Sequence, residues 1–537
     1  MTDAGGWTAA ERAAKAPHGD PSPVPWWKAA VVYQIYPRSF LDTDGDGVGD
    51  LAGIRERLPY LARLGVDCLW LSPFYRSPMA DFGYDVADYC DVDPLFGTLA
   101  DFDHLLLAAH EHGLRVIVDF VPNHTSDRHP WFVDARSSRD AEHRDWYVWR
   151  DPSAPVAPGG DPGPPPNNWI SAFTRGPAWT WDAVTSQWYL HLFLPEQPDL
   201  DWSNPAVVEA MHGVLRFWLD RGVDGFRIDV VHALGKDPAL PDNPARTAHV
   251  PYSSINDDPR THPILRDLRR LVDSYPGDRV TVGEVFLRTT AQVATYYGAN
   301  DELHLSFNFP PLFAPWEAGA WRDRIDTTIA ELDPRDAWPT WVLSNHDNPR
   351  HRSRYGGDEA RARAAALLLL GLRGTPFVYA GEELGLEDAI IPPERVVDPG
   401  GRDGCRAPIP WTADADRGWA SETPWLPWPP DADLRNAERA ETDPHSMLHL
   451  YRHALAARRS SAALRAGTFS WLDGPAGTLV WQREAGDEVV MVAVNMTSDP
   501  VTLTTAADGS WTAIVTSDGR PFSSELAANS AVWLRRA

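Results

Sequence analysis

Short apolar runs alternate with longer segments of helical periodicity along most of the chain. Eight runs rich in β-branched and aromatic residues are predicted strands: Val31–Tyr36, Val66–Leu71, Arg115–Val121, Gly225–Val230, Val280–Val285, His304–Phe309, Thr340–Asn345 and Pro376–Ala380. Five segments with apolar residues three and four positions apart are predicted helices: Leu51–Leu64, Thr98–His112, Pro205–Arg221, His262–Ser274 and Asp358–Leu372. This alternation predicts an α/β fold with a parallel sheet, and eight strands predict a closed (β/α)8 TIM barrel.

Two regions depart from the alternating pattern. About a hundred residues separate the third and fourth predicted strands, far more than one helix and short loops need, which predicts a small inserted domain. After Arg459, alternating runs such as Leu479–Arg483 and Glu488–Val494 predict a C-terminal antiparallel β-domain. The expected division is a barrel formed by residues 1–123 and 199–459, an inserted domain at 124–198 and a β-domain at 460–537.

Composition narrows the range of partners. The formal net charge of -26 would repel nucleic acid and anionic membranes, so a neutral ligand is expected. Met1–Lys15 lacks the apolar core of a signal peptide, and the longest apolar run, Ala364–Leu372, is too short to span a membrane. The three cysteines are odd in number and lack metal-ligand spacing, which favours reduced thiols. We therefore expect a cytoplasmic monomer or homodimer.

Acidic residues end three of the predicted strands. Asp229 follows one of them with Arg227 two residues earlier, and because side chains alternate across a strand both would project from one face. Alone, this pair could be a structural ion pair. Glu284 and Asp347 end two later strands in the same way. Because the carboxyl ends of barrel strands carry active sites, the three acids predict a catalytic cluster.

One glutamate and two aspartates at a barrel mouth suit glycoside hydrolysis. Hydrolysis with retention needs a carboxylate nucleophile and a protonated carboxylic acid. Asp229 suits the first role because Arg227 would hold it ionised, and Glu284 suits the second because an apolar strand and a neighbouring carboxylate would raise its pKa. Asp347 would then grip sugar hydroxyls. Spacing alone does not settle these roles.

Four ordered blocks carry a resemblance to a known family: Asp119–His124, Gly225–Asp229, Gly283–Val285 and Asn345–Asp347. Together they resemble the α-amylase superfamily, glycoside hydrolase family 13, and within it the oligo-1,6-glucosidase and α-glucosidase group. The resemblance implies that Asp229 is the nucleophile, Glu284 the general acid/base and Asp347 the stabiliser of the transition state. It thus agrees with the assignment from the residues themselves.

The same resemblance implies contacts around a nonreducing glucose. Tyr84 would supply a stacking ring and Asp85 a carboxylate for a terminal hydroxyl, and the remaining contacts implied are His124, Arg227, Val230 and His346. An arginine, either Arg402 or Arg406, should pair with Asp85 and block the pocket beyond the first glucose. These features imply an exo-acting enzyme.

An acidic loop precedes the first predicted helix. Its carboxylates recur at every second position, and its glycines permit tight turns, which suits a hard cation. It parallels the first half of an EF-hand loop, yet Gly53 stands where a bidentate glutamate would follow, so a solvated acidic turn remains an alternative. The resemblance implies a single structural Ca²⁺ with these ligands: Asp42, Asp44, Asp46, the Val48 carbonyl and Asp50.

The expected function is retaining release of glucose from short α-1,6- or α-1,4-glucosides. Val230 is a residue type often seen in family members that cleave α-1,6 bonds, and Gln197–Asp201 resembles a signature of the oligo-1,6-glucosidases except at its last residue. A short link from Gly385 to Gly401 predicts a wide mouth that admits larger or noncarbohydrate aglycones. The alternatives are transglucosylation, sucrose isomerisation, a noncatalytic carbohydrate-binding or transporter-partner role and a Mg²⁺ phosphotransfer site. The last of these lacks the glycine-rich phosphate cradle that it would need.

Overall fold

The computed structural model describes residues 24–157, 159–251, 256–504 and 510–537. The expectation drawn from Met1–Lys15 falls outside these residues. Within the described part of the chain, no helix combines the length and the apolar character needed to cross a membrane.

Eight parallel strands form the central sheet. They are β1 (Val32–Ile35), β2 (Cys68–Leu71), β3 (Arg115–Phe120), β4 (Gly225–Ile228), β5 (Val280–Gly283), β6 (Leu305–Ser306), β7 (Thr340–Val342) and β8 (Thr375–Tyr379). Their order is β6-β5-β4-β3-β2-β1-β8-β7. The Thr340 hydroxyl donates to the Ser306 carbonyl at 2.6 Å and accepts from the Asn308 amide at 3.2 Å, which links β6 to β7. The predicted barrel is therefore confirmed.

All of the observed strands except β2 end earlier than predicted, most clearly β6 and β7. Beyond Val342 the chain leaves the ladder and forms a tight loop in which Asn345 and Asn348 make an isolated antiparallel bridge. The prediction that Asp347 ends a strand is therefore wrong, because Asp347 lies in this loop. Asp229 and Glu284, in contrast, directly follow β4 and β5.

The helices surround the barrel. They are α1 (Leu51–Glu56), α2 (Leu58–Leu64), α3 (Leu99–Glu111), α4 (Pro205–Arg221), α5 (Thr261–Asp273), α6 (Thr290–Thr295), α7 (Ala318–Leu332), α8 (Glu359–Gly371) and α9 (Met447–Ser460). The single helix predicted over Leu51–Leu64 is wrong, since the chain breaks at Arg57 and Pro59 lies in the first turn of α2. Proline lacks the amide hydrogen that a continuous helix would need there.

Shorter helical turns occupy the connections. They are Trp26–Ala29, Pro37–Ser39, Pro130–Ala135, Arg144–Trp146, Val231–Ala233, Ala245–Thr247, Phe309–Leu312, Asp333–Arg335, His351–Arg354, Glu382–Leu384, Pro393–Arg395, Asp403–Arg406, Ala437–Thr442 and Ala462–Ala466.

A packed core fills the barrel and positions the site above it. Side chains including Trp70, Phe307 and Phe377 are buried inside it. Gly225 begins β4 where a Cβ atom would lie 2.1 Å from the Val280 carbonyl oxygen, so only glycine permits this approach of β4 to β5. Arg227, two residues further along β4, is a buried charge among these apolar side chains.

Asp224 forms a buried ionic cluster at the opposite end of β4. Its carboxylate contacts His110 at 2.8 Å, Arg279 at 3.2 Å and Arg115 at 3.4 Å. Burial would raise the pKa of Asp224, but the hydrogen bond with His110 and the charge of Arg279 lower it. The cluster joins α3, β3, β4 and β5 at the bottom of the barrel.

The chain between β3 and β4 adds a small sheet beside the barrel mouth. Its strands are Trp149–Arg150, Gln187–Leu190 and Trp179–Asp182, in that order and antiparallel. Phe132 packs against Trp149 and Tyr189, so an aromatic cluster supports this sheet. Two other aromatic residues of the region, Phe173 and Phe193, reach the cavity described below.

The last strands form the predicted antiparallel domain. They are β9 (Thr468–Trp471), β10 (Thr478–Ala485), β11 (Glu488–Asn495), β12 (Trp511–Thr516) and β13 (Ser530–Arg536), in the order β9-β10-β11-β13-β12. Short strands pair at Tyr75–Arg76 with Asp88–Val92 and at Val501–Thr502 with Glu525–Leu526. Buried Arg483 on β10 donates to the Gly371 carbonyl at the end of α8, which fastens the domain to the barrel.

Candidate active site

A cavity of about 240 Å³ opens at the carboxyl ends of the barrel strands. Its polar floor and aromatic rim come from several loops and from the inserted region. The lining residues are Asp81, Tyr84, His124, Phe173, Phe193, Asp229, Val230, Glu284, Phe286, Phe309, Asp347, Asn348 and Arg402. The structure thus gathers the three predicted acids, although they are up to 118 positions apart in the chain (229 to 347).

The Arg227 guanidinium connects three carboxylates at the cavity floor. Its Nη1 donates to Asp229 Oδ1 and to Asp119 Oδ1, each at 2.7 Å, and its Nη2 donates to Glu284 Oε2 at 2.7 Å. Asp119, Arg227, Asp229 and Glu284 come from the ends of the adjacent strands β3, β4 and β5. One cation therefore holds acidic groups from three strands in a fixed arrangement.

The pKa of Asp229 reflects opposing influences. Burial raises it well above its ordinary value, Arg227 lowers it, and the carboxylates of Glu284 and Asp119 raise it again. Burial also raises the pKa of Asp119 to about 6, against the effect of Arg227. The sequence predicts that Arg227 holds Asp229 ionised. The guanidinium does lower the pKa of Asp229, but three acids share it, and burial raises that pKa more than Arg227 lowers it.

Val230 bends the chain sharply between Asp229 and the next helical turn. Its φ of 44° and ψ of 41° are in the left-handed region, which a β-branched side chain rarely adopts. This conformation turns the Val230 amide toward Glu284, which accepts from it at 3.2 Å. The backbone strain is thus located where it orients Glu284 beside Asp229.

Asp347 is held from behind by two arginines. Arg402 Nη1 and Arg406 Nη2 each donate to Asp347 Oδ1 at 3.0 Å, and His346 Nε2 lies 3.1 Å from Asp347 Oδ2. Burial would raise the pKa of Asp347, but His346, Arg402 and Arg406 lower it below its ordinary value. Asp347 is therefore an anion facing the cavity.

The expected pairing of an arginine with Asp85 is wrong. Arg402 Nη2 instead donates to Asp81 Oδ1 at 2.5 Å, and Arg406 lies buried behind the cavity, where its Nε donates to the His346 carbonyl. Asp85 accepts from the Ser77 hydroxyl and from the amides of two neighbouring residues, and burial raises its pKa to about 6. The hydrogen bonds of Asp85 thus stabilise the loop to which it belongs, whereas Asp81 faces the cavity.

Tyr84, His124 and His346 line one side of the site. The Tyr84 ring stacks on the His346 ring with centroids 5.4 Å apart, and its hydroxyl lies 2.6 Å from His346 Nε2. Burial lowers the pKa of His124 to about 4 and that of His346 to about 3, so both rings are neutral at pH 7. Gln197 lies 3.1 Å from both His124 Nε2 and Asp81 Oδ2 and joins this wall to the cavity end.

Aromatic side chains form the rim of the cavity. Phe286 is 51% exposed and packs edge-on against Phe309, with ring centroids 5.0 Å apart. Across the opening, Phe173 lies 5.5 Å from Phe193 and carries the Arg402 guanidinium 4.8 Å from its ring centroid. An apolar rim around an acidic floor can accept a polar sugar below and a less polar group above.

The acidic loop gathers three of the residues predicted to bind a metal. Carboxylate oxygens of Asp42, Asp44 and Asp50 lie within 4.8 Å of one another. Asp46 is outside this group, and its Oδ1 accepts from the Val48 amide at 2.7 Å. Three converging carboxylates are a donor set that fits Ca²⁺. Asp50 also accepts from the Gly53 amide at 2.6 Å and so caps α1.

Three polar residues of the site were missed in the sequence. Asp119 begins one of the four blocks that carry the resemblance and lies in the predicted strand Arg115–Val121, which was a signal available in the sequence. Gln197 begins the segment Gln197–Asp201 that resembles the oligo-1,6-glucosidase signature, and nothing in that pattern indicated its contacts with His124 and Asp81. Asp81, three residues before Tyr84, carried no signal that distinguished it from Asp85.

An acid pair on adjacent strand ends that lines one sugar-sized cavity together with an anionic third acid defines a glycoside hydrolase of the barrel class. The profile of the family described as alpha amylase, catalytic domain, matches residues 34–467. The chain therefore belongs to the α-amylase family, and it is a glycoside hydrolase of its α-glucosidase and oligo-1,6-glucosidase group.

Similar proteins span nearly the whole chain. A probable α-glucosidase of Rhizobium meliloti (strain 1021) is 44% identical over 513 residues, covering 89% of this chain and 90% of the relative. An oligo-1,6-glucosidase of Parageobacillus thermoglucosidasius is 37% identical over 517 residues, with coverages of 88% and 90%. Among solved structures, an α-glucosyl transfer enzyme, XgtA, has a TM-score of 0.87 at 40% identity, covering 96% of this chain and 100% of that one. The trehalulose synthase MutB of Pseudomonas mesoacidophila MX-45 has a TM-score of 0.86 at 34% identity, with coverages of 96% and 100%.

Proposed function

We propose that this enzyme is a retaining, exo-acting α-glucosidase that releases glucose from the nonreducing end of short α-1,6- or α-1,4-glucosides. One observation carries the proposal: Asp229 and Glu284 share the Arg227 guanidinium at 2.7 Å each on the floor of a single cavity. Retention requires two carboxyl groups that lie close together and carry different protonation states. A shared cation and adjacent strand ends support that arrangement.

In the proposed first step, the ionised Asp229 attacks the anomeric carbon from the β face of the ring, opposite the leaving group. Glu284 gives its proton to the glycosidic oxygen as the bond to the leaving group breaks, and a glucosyl ester of Asp229 forms. In the second step, Glu284 takes a proton from water, which attacks the anomeric carbon and frees the carboxylate of Asp229. Arg227 stabilises negative charge on either carboxyl group as the proton moves.

The proposed glucose contacts follow the walls of the cavity. Asp347, kept anionic by its arginines, accepts hydrogen bonds from ring hydroxyls and strengthens them as positive charge develops on the sugar. Asp81 and Arg402 close the far end of the cavity, which supports a requirement for a terminal glucose. Tyr84, His124 and His346 supply neutral surfaces beside the ring.

The rim supports a broad range of leaving groups and acceptors. Exposed Phe286 and its neighbour Phe309 offer apolar surface to the group that leaves or attacks, which favours aryl and alkyl aglycones as well as sugars. The same covalent intermediate can pass glucose to an acceptor other than water, so α-glucosyl transfer is the second candidate function. An α-glucosyl transfer enzyme and a trehalulose synthase among the similar structures support this alternative.

A structural Ca²⁺ is part of the proposal. Asp42, Asp44 and Asp50 would hold it, with Asp46 and the Val48 carbonyl as further ligands implied by the family resemblance. A bound cation would neutralise repulsion among these carboxylates and fix the loop before α1. It takes no part in the chemistry.

Product analysis with four substrates tests the function. Isomaltose, maltose, sucrose and an aryl α-glucoside are incubated with the wild-type enzyme and with Asp229→Ala, and free glucose and transfer products are separated by chromatography. We expect glucose from isomaltose, from maltose or from both, comparable rates on the aryl glucoside, and no turnover by a folded Asp229→Ala. Substantial hydrolysis by that variant would refute the nucleophile assignment.

A further inference from the structure

Asp398 lies behind the cavity, in the loop between β8 and the helical turn Asp403–Arg406. Its side chain is fully buried and does not line the cavity. One of its oxygens accepts from the Arg402 backbone amide at 2.6 Å and from Arg402 Nε at 3.0 Å, and the other accepts from Arg402 Nη2 at 2.6 Å. Arg406 Nη1 donates to the same carboxylate at 3.3 Å. Asp398 is thus the common partner of both arginines.

The two arginines that contact Asp398 also contact acids that line the cavity. Arg402 reaches Asp81 at 2.5 Å and Asp347 at 3.0 Å, and Arg406 reaches Asp347 at 3.0 Å. A guanidinium is a rigid planar fork, so an anchor on its inner edge fixes the directions of its outer nitrogens. Because Asp398 accepts hydrogen bonds from Nε and Nη2 of Arg402, it fixes the guanidinium in its position between Asp81 and Asp347.

The loop is built around this anchor. Asp403 Oδ2 accepts from the amides of Val397 and Asp398, which fixes the backbone of the anchor itself. A Cβ atom on Gly400 would lie 2.8 Å from Arg402 Nε and 3.1 Å from Asp398 Oδ2, so a side chain there would displace the pair. Burial would raise the pKa of Asp398, but the hydrogen bond from Arg402 and the charges of both arginines lower it.

We propose that Asp398 is a positioning residue that sets substrate specificity by holding Arg402 across the end of the cavity. It touches no substrate and acts through the arginines, so its loss lets the Arg402 fork turn away from Asp81. The cavity then opens beyond the first glucose and admits a ligand one unit longer. This inference rests on the proposed α-glucosidase function.

The test compares Asp398→Asn with Glu394→Gln, an equivalent loss of charge at an exposed position four residues earlier in the same loop. Each protein is given p-nitrophenyl α-glucoside and p-nitrophenyl α-maltoside, and KM, kcat and the sugars released are measured. For Asp398→Asn we expect KM for the glucoside to rise at least fivefold. We also expect the ratio of intact maltose to glucose released from the maltoside to rise at least tenfold, a change that loss of folded enzyme alone cannot produce. Glu394→Gln should match the wild type in both.

An unchanged product ratio and KM in folded Asp398→Asn would overturn the proposal. If that variant does not fold, Asp398→Glu carries the test: its longer arm displaces Arg402, so an intermediate product ratio is expected, and a wild-type ratio would count against the role. An Arg402→Gln background should make the effect of Asp398→Asn on the ratio disappear, since the two residues act in series. If the wild type cleaves neither p-nitrophenyl substrate, the proposed α-glucosidase function is itself refuted. The wild-type measurement therefore separates that outcome from a failure of the proposal for Asp398.

Discussion

Replacing Arg227 by methionine would remove the cation that the acids of the site share. Methionine replaces the aliphatic part of the arginine side chain and leaves Asp119, Asp229 and Glu284 without their common partner. Arg227 donates a charge-assisted hydrogen bond of 2.7 Å to Asp229, and a bond of this kind contributes about 1.5–3 kcal/mol. Because one pKa unit corresponds to about 1.4 kcal/mol, the pKa of Asp229 should rise by about one to two further units.

The sign of the effect follows from the proposed mechanism. Asp229 must be ionised to attack, so kcat/KM falls as the pH drops through its pKa. A higher pKa therefore moves the acidic limb of the pH profile to higher pH in Arg227→Met, by about one to two units. The assay is kcat/KM for an aryl α-glucoside from pH 4 to 9, with folding followed by thermal unfolding at each pH.

Arg458→Met provides a matched control for this prediction. Arg458 is also buried, but its guanidinium donates to the carbonyls of Leu370 and Gly374, away from the cavity. Its loss should lower stability without moving the acidic limb. If folded Arg227→Met keeps the acidic limb of the wild type, Arg227 does not control the ionisation of the nucleophile and the reasoning fails.

Three other substitutions or treatments test separate parts of the structure. Asp81→Asn should lower kcat/KM roughly 10- to 100-fold through loss of a charged hydrogen-bond partner, whereas Asp85→Asn should leave it within about threefold; equal losses would contradict the corrected assignment. Chelation of Ca²⁺ should lower the melting temperature, since a ligand at a hundred times its Kd adds about 2.7 kcal/mol of stability, and Asp44→Ala should abolish that response. Asp224→Asn should lower the free energy of unfolding by about 3–5 kcal/mol at pH 7. Because the folded pKa of Asp224 is lowered, its contribution to stability is present above about pH 4 and is lost as the pH falls further. Urea unfolding curves of variant and wild type should therefore converge in acid.

Much of the fold could be predicted because its signals are local. Strand and helix periodicity located all eight barrel strands. Two-residue alternation predicted that Arg227 on β4 and Asp229, which directly follows β4, project from one face, and the two side chains are 2.7 Å apart. Strand ends were less accurate because loops that bend into the site, such as the one that carries Asp347, leave the ladder early. The break before Pro59 was visible in the sequence, since a proline ends the preceding helical ladder.

The polar pairs of the site could not be predicted because they join distant parts of the chain. Arg402 and Asp81 are 321 positions apart, and no local pattern separates Asp81 from Asp85 as the partner. Sharing of Arg227 by three acids follows from the order of β3, β4 and β5 in the sheet, which fixes neighbours that a single strand does not reveal. The proposed role of Asp398 could not be predicted either, since it depends on the contacts of Arg402 and Arg406 with Asp81 and Asp347, which are 55 to 321 positions away in the chain.

The stereochemistry of the first product tests the central claim most directly. Proton NMR during hydrolysis of an aryl α-glucoside, recorded faster than glucose mutarotates, identifies the anomer that leaves the enzyme. A double displacement through a glucosyl ester of Asp229 predicts that α-glucose appears first and then equilibrates. Initial release of β-glucose would contradict the covalent intermediate and, with it, the roles proposed for Asp229 and Glu284.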